Sequence, residues 1–211
     1  MMRSRVKDVT TLVVLAALYI VVSILPGMPV IGVPMATIDP AAILGPIYGL
    51  CFGPFVGGLG AFLGALLAWM MPPGTPQPFG LLTTICPAGA AFAAGALTRR
   101  RVGGAIPGWM LSATAVGLPI LGWYATWVGV GAPFYPLIHL IGLGIVLALR
   151  GHLTSWFESG SKARLTLFAA LASYVGIVTD HMLGNLAFIV SIDLFIPVSY
   201  THLTLPTKRI V

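Results

Sequence analysis

Residues 179–188 read TDHMLGNLAF, so an acid, an imidazole and an amide stand inside an otherwise apolar run. Asp180, His181 and Asn185 could hydrogen-bond a polar ligand, and Asp180 with His181 could carry a proton. A charged side chain at mid-bilayer costs ~2.5–3.5 kcal/mol on insertion scales, so such groups face a bundle interior or a wet cavity. On a helix His181 and Asn185 are four residues apart and share a face. Asp180 is turned about 100° from His181 at 3.6 residues per turn. Gly176 and Gly184 lie on the face of Asp180 and leave room there for a ligand or another backbone. The competing role for the three polar groups is a hydrogen-bond network between helices.

Other groups could complete a pocket. Asp39 ends a Pro/Gly-rich loop, where it suits a helix N-cap or a contact to a ligand held under that loop. Trp123 and Tyr124 close one apolar run, Tyr135 and His139 open the next, and Trp69 and Gln77 flank another loop. Each aromatic alone suits an interfacial belt. Their common side of the membrane makes a substrate pocket plausible. Asp8 and Glu158 sit among basic residues and need only solvated or paired roles. Asp193 falls near a helix end. Cys51 and Cys86 lack metal-ligand spacing and read as small buried residues. No G-x-S-x-G, H-E-x-x-H or Walker motif occurs, so the expectation is a non-enzyme without cofactor or metal, unable to use ATP by itself.

The elements that must position these groups follow from composition. Of 211 residues 58% are hydrophobic and 8% charged, with a mean hydropathy of +1.00. Soluble domains carry about 25% charged residues. The apolar runs are long and rich in Ala, Leu and Gly, without period-2 alternation, which favours helices over a β-barrel. The fold class expected is all-α: a polytopic transmembrane bundle of about seven helices, forming one domain over residues 1–198. The net charge of +6 does not point to nucleic acid, because the basic residues cluster between apolar runs. The N-terminal run resembles a secretory signal but lacks a small-residue cleavage site, so it reads as a retained first helix.

The segments expected are about 9–25, 41–52, 54–71, 79–97, 104–125, 135–149 and 165–192. The run 41–71 is too long for one straight span, and Gly53-Pro54 is its natural break. The last run is also long, and is expected to tilt or to break near Gly184. Charge tests this division. Arg3, Arg5, Lys7, Arg99, Arg100, Arg101, Arg150, Lys162 and Arg164 all fall on one side when the chain reverses at Gly53-Pro54. The positive-inside rule makes that side, and the N-terminus, cytoplasmic. A multi-pass protein of a prokaryotic cell membrane is expected, in contact with lipid.

Small residues recur at helical spacing. Gly53, Gly57, Ala61 and Ala65 form one row, and Gly60, Gly64 and Ala68 another. Such rows let backbones touch in lipid. Contact within this chain's own bundle is the favoured reading, and docking onto a separate membrane partner the sharper one.

The order of features resembles the substrate-binding S component of energy-coupling-factor (ECF) vitamin transporters. The resemblance rests on TLVVLAALYIVVSILPG, on the loop to IDP, and best on the hairpin AAILGPIYGLCFGPFVGGLGAFLGALLAW. It covers the first third of the chain well and the rest loosely. It implies capture of a vitamin-like or trace nutrient, for which the polar and aromatic groups read above, Asp180, His181, Asn185, Asp39, His139, Tyr135 and Trp123, are the candidates. It also implies a separate transmembrane coupling protein and cytoplasmic ATPases, with Ala16, Ala17, Gly57, Gly60, Ala61 and Gly64 as docking positions. The family typically has six helices, and its alanine-spaced motif is not clean here. Two other readings stand beside it: a self-contained proton- or ion-coupled transporter using Asp180 and His181, and a membrane-embedded enzyme or assembly factor. The tail SYTHLTLPTKRIV resembles translated sequencing-adapter read-through, so Ser199–Val211 are expected to be an artefact that truncates the natural chain.

Overall fold

The computed structural model describes residues 2–29, 37–71 and 78–195. It is an all-α bundle, with five helices long and apolar enough to cross a membrane. The adapter-like tail and Gln77 lie outside the described residues, as does the side chain of Asp193.

Helix α1 (Met2–Ser23) is followed by a two-residue ribbon, β1 (Met28–Pro29) paired antiparallel with β2 (Thr37–Ile38), which ties together the ends of the first loop. A 3-10 turn at Pro40–Ile43 leads into α2 (Leu44–Met70). This helix is two limbs, because Gly53 takes φ +82° and ψ 177°, outside the helical range. The chain reverses there. A Cβ placed on Gly57 would lie 2.5 Å from the carbonyl oxygen of Tyr48, which a continuous helix would hold about 13 Å away along its axis. The hairpin expected from Gly53-Pro54 is therefore present. Its φ/ψ region is essentially open to glycine only, with a cost of order 1–3 kcal/mol for other residues. Gly53→Ala is expected to lower the thermal midpoint of the purified protein, whereas Gly144→Ala, at an exposed helical site with nothing within 4 Å, should leave it unchanged or raise it. Equal midpoints for the two variants would contradict the strain at Gly53.

The expected helix over 79–97 is divided into α3 (Pro78–Thr83) and α4 (Ile85–Ala96). Pro87 has no N–H to give the Thr83 carbonyl, which accounts for the interruption at Thr84. Alanine and glycine dominate α4, and Ala90, Ala91, Ala93, Ala94 and Ala96 are fully buried. With Ile85 and Phe92 as its only large side chains it can be approached closely on several sides, and it packs against both limbs of α2, α5 and α8. It is the hub of two core clusters. One joins Leu15, Tyr19, Tyr48 and Ala61 to Ala91, and the other joins Trp123, Val146, Phe168 and Met182 to Ala93.

A ribbon of β3 (Arg101–Val102) and β4 (Ile106–Pro107) precedes α5 (Gly108–Tyr124), replacing the helical start expected at 104. The loop expected at 126–134 contains a short helix, α6 (Trp127–Gly131), capped by the Thr126 hydroxyl accepting from the Gly129 N–H at 3.0 Å. Helix α7 (Leu137–Phe157) then runs antiparallel to α8 (Lys162–Phe195). Helix α8 is unbroken at Gly184, because a lone glycine costs only about 1 kcal/mol against alanine and no proline accompanies it. At 1.5 Å per residue its 34 residues reach ~51 Å, well past a ~30 Å hydrocarbon core. The excess protrudes at its start, where residues 162–167 are all exposed.

Pairwise contacts give the direction of each element. Gly60 sits on Leu15 and Gly64 on Tyr19 and Ala16, so the second limb of α2 runs parallel to α1. Gly45 meets Pro87 and Gly49 meets Ala91, so the first limb runs parallel to α4. Gly89 meets Leu183 and Gly176 meets Ala90, so α8 is antiparallel to α4. The Gly53 turn, the end of α4, the start of α5, the end of α7 and the start of α8 then share one end of the bundle with the N-terminus. All nine basic residues outside the tail belong to the elements or loops at that end. Arg100 donates to Glu158 there at 2.6 Å, and the Arg150 guanidinium lies 5.8 Å over the Trp109 ring. The outer faces carry exposed Val9, Val13, Leu59, Leu118, Leu121 and Leu147, as lipid requires.

Candidate substrate site

Four rings from three helices and a loop meet at the end of the bundle opposite the arginines. Trp123, in the last turn of α5, is buried, and its ring stacks on Tyr135 at a centroid distance of 4.5 Å and 20° between planes. Helix α6 holds Trp123 in place: Gly129 lies so close to the Trp123 backbone that no larger residue fits. The Tyr135 ring in turn lies 6.2 Å from His139 and 6.3 Å from His181, with planes within 30°.

The two imidazoles are joined. His139 Nε2 and His181 Nδ1 are 3.0 Å apart, with the ring planes 12° from parallel and the centroids 5.2 Å apart. The centroid distance exceeds the N···N distance by roughly the two ring radii, so the rings lie end to end in a hydrogen bond rather than face to face. Close approach of α7 and α8 sets this spacing. Gly142, one turn after His139, meets Val178, one turn before His181, and Tyr174 donates its hydroxyl to the Ile138 carbonyl at 2.7 Å. The Asn185 amide nitrogen lies 3.4 Å from His181 Nδ1. Which ring carries the shared proton depends on the tautomer: a donating Asn185 amide places it on His139 Nε2, whereas the Pro136 carbonyl beside His139 favours a proton on its other nitrogen.

Trp123 Nε1 is buried without a hydrogen-bond partner among the described residues. An unpaired buried group costs ~1–3 kcal/mol. Tyr135 and His181 are exposed, so the group opens to the surroundings. A molecule placed here meets the exposed Tyr135 and His181 rings, and accepts from the buried Trp123 indole N–H once the Tyr135 ring stacked on Trp123 moves aside.

Asp180 does not join this group. As the helical rotation requires, it faces the packed side of α8. Gly176 and Gly184 on its face meet the Ala90 carbonyl with Pro46, and the Cys86 thiol, respectively. Backbone and thiol occupy the space that could have held a ligand. Asp180 Oδ1 is buried without a partner among the described residues, with Tyr19 and Cys86 as its titratable neighbours. Tyr19 and Cys86 were missed as polar neighbours: Tyr19 lies in an apolar run, and Cys86 carries no ligand spacing.

Asp39 caps the turn at Pro40–Ile43, its carboxylate accepting from the Ala41 N–H at 2.8 Å. Burial raises its pKa above the ordinary carboxylate range, and the bond from Ala41 partly opposes this. The folded state then binds more protons than the unfolded chain between the unfolded value of about 3.9 and the raised folded one. Stability is therefore expected to fall as pH rises through that window. Asp39→Asn keeps a capping acceptor and removes the titration, so its thermal midpoint should gain on wild type as pH rises. Parallel midpoint curves for the two proteins would rule this out.

The expected docking positions are mostly spent inside the chain. Ala16, Gly57, Gly60, Ala61 and Gly64 are buried against Tyr48, Leu15, Tyr19 and one another, so the small-residue rows pack this bundle. Ala17 alone of that set is exposed. Tyr124 donates to the Pro133 carbonyl at 2.9 Å and helps position the turn into α7, while Trp69 packs on Gly80.

No family profile matches the chain, and no solved structure matches it. The chain is 28% identical over 151 residues to a protein of Methanocaldococcus jannaschii named Uncharacterized protein MJ0923. The matched region covers 72% of this chain and 48% of that protein, so the chain spans about half the length of this relative.

Proposed function

We propose that this chain is a substrate-capture subunit of the ECF S-component type, embedded in the cell membrane of a prokaryote with its arginine-rich end in the cytoplasm. The observation that carries the reading is the ring series Trp123–Tyr135–His139–His181, with the Trp123 indole N–H buried and without a partner among the described residues. Its position at the end opposite the basic residues supports capture of a small molecule from outside. The substrate is a vitamin-like or other trace nutrient with a flat or ring-bearing body and at least one acceptor. Uptake then depends on a transmembrane coupling protein and cytoplasmic ATPases, since no nucleotide motif is present in the chain. Asp39 and Asp180 support the site at a distance, through the loop cap and the α8 packing, and Asn185 through its contact with His181.

Native mass spectrometry of the purified chain, without ATP, tests this. A small molecule should be retained by wild type and lost from His181→Ala. Retention that is equal in both would exclude the ring series as the site.

A second reading has its own support. Asp180 Oδ1, buried between α8 and α4 and unpaired among the described residues, suits a proton carrier in a self-contained coupled transporter. That reading expects uptake by the chain alone in liposomes, driven by a pH gradient and abolished in Asp180→Asn. The capture reading expects binding but no uptake there.

A further inference from the structure

At the basic end the Gly53 turn forms one wall of a cavity of about 260 Å³. Arg99, Arg101 and Val102 form the other, with Phe52 and Phe55 below them. The Arg99 guanidinium lies directly over Gly53, where a Cβ would come within 3.3 Å of it. No carboxylate among the described residues is in ion-pair range of Arg99 or Arg101; Glu158 is taken by Arg100. Two guanidinium groups thus flank a cavity with no countercharge.

This cavity adjoins an apolar groove. A second space of about 530 Å³ shares Pro54 and Phe55 with it and follows the second limb of α2 past Leu59 to Phe62, against Phe92, Leu118 and Leu183. Its walls are almost wholly apolar, and Phe55, Leu59 and Leu118 are exposed along its open side. From Pro54 to Phe62 the groove rises ~12 Å at 1.5 Å per residue, close to the ~15 Å depth of one leaflet's hydrocarbon.

We propose that the groove holds an acyl chain of an anionic phospholipid of the arginine-side leaflet, with its phosphate between Arg99 and Arg101. Charge and length both select this occupant. The phosphate supplies the missing countercharge, Arg presents planar donors matched to phosphate oxygens, and the chain fills an apolar trough that opens sideways to lipid. A helix from a protein partner would cover the groove but would leave both guanidinium groups without an anion.

The test measures binding of phosphatidylglycerol and phosphatidylcholine with identical acyl chains to the delipidated full chain, by native mass spectrometry. Wild type should prefer phosphatidylglycerol. At about tenfold per 1.4 kcal/mol, and with each basic residue near an anionic surface contributing on the kcal scale, Arg99→Ala/Arg101→Ala should reduce phosphatidylglycerol affinity about thirtyfold and abolish the preference. Arg100→Ala, which breaks the Glu158 pair, should keep the preference. Gly58→Leu leaves the arginines untouched and fills the trough, since a Cβ fits there 3.5 Å from Ala88 O; it should weaken both lipids. Millimolar inorganic phosphate should not displace the lipid. The proposal is overturned by an unchanged preference in the double variant, by an equal loss in Arg100→Ala, or by displacement with phosphate alone coupled to indifference to Gly58→Leu.

Discussion

Gly57→Val is expected to prevent recovery of a monodisperse protein, or to lower its thermal midpoint more than any substitution on the lipid face. The obstacle is backbone on both sides. A Cβ at this position would stand 2.5 Å from Tyr48 O, 2.6 Å from Tyr48 C and 2.8 Å from Gly49 N. A crowded side chain can rotate away, but a carbonyl inside a helix cannot, so the two limbs of α2 must separate. Separation does not stay local. Gly49 on the first limb lies against Ala91 and Gly95 of α4, and Gly60 and Gly64 on the second lie against Leu15 and Tyr19 of α1. The Tyr48 hydroxyl also donates to the Leu15 carbonyl at 2.8 Å, a bond that parting limbs would strain. Overpacking typically costs about 1–3 kcal/mol, and the upper part of that range or beyond is expected where three helix contacts are forced apart at once. Size-exclusion chromatography after stepwise heating reads the result. A Gly57→Val midpoint within a degree or two of wild type would show that the limbs are not in contact.

The hairpin was legible because two independent signals agreed. Gly53-Pro54 marks a break, and only a reversal there brings Arg99, Arg100 and Arg101 to the end that holds Arg3, Arg5 and Lys7. The hub role of α4 was less visible. Its run ICPAGAAFAAGA looks like a weakly hydrophobic span, and only the neighbours show that small side chains let it be surrounded. At the site, helical rotation alone separated Asp180 from His181 and placed Asn185 with His181. Trp123, Tyr135 and His139 were grouped with His181 by their common side of the bundle; what sequence could not supply was the order and spacing of groups up to 58 residues apart, with the His139–His181 approach set by the Gly142–Val178 contact. The small-residue rows were ambiguous for a physical reason: close packing within a chain and between chains uses the same residues. Tyr19 escaped notice because one hydroxyl in an apolar helix carries no pattern.

Trp123→Phe is expected to move binding and stability in opposite directions. Phenylalanine keeps an aromatic face for Tyr135 but removes the buried indole N–H that has no partner among the described residues. In the unliganded protein that N–H is a liability of ~1–3 kcal/mol, set against the smaller apolar area of the new ring. The thermal midpoint without ligand should therefore hold or rise. Affinity for the small molecule retained by wild type should fall about three- to tenfold, the net worth of one neutral hydrogen bond of ~0.5–1.5 kcal/mol. His181→Ala should weaken binding further, since it removes a ring from the series and leaves His139 Nε2 unpaired as well; here stability falls too. A purely internal packing role for these rings predicts something else. Trp123→Phe would then leave a void beside Tyr135 and lower the midpoint, while affinity stayed unchanged. The opposed signs separate the two roles, because a binding site retains unpaired polar atoms that a packing site has every reason to lose. Isothermal titration with the identified ligand and thermal denaturation without it supply both numbers from the same pair of proteins.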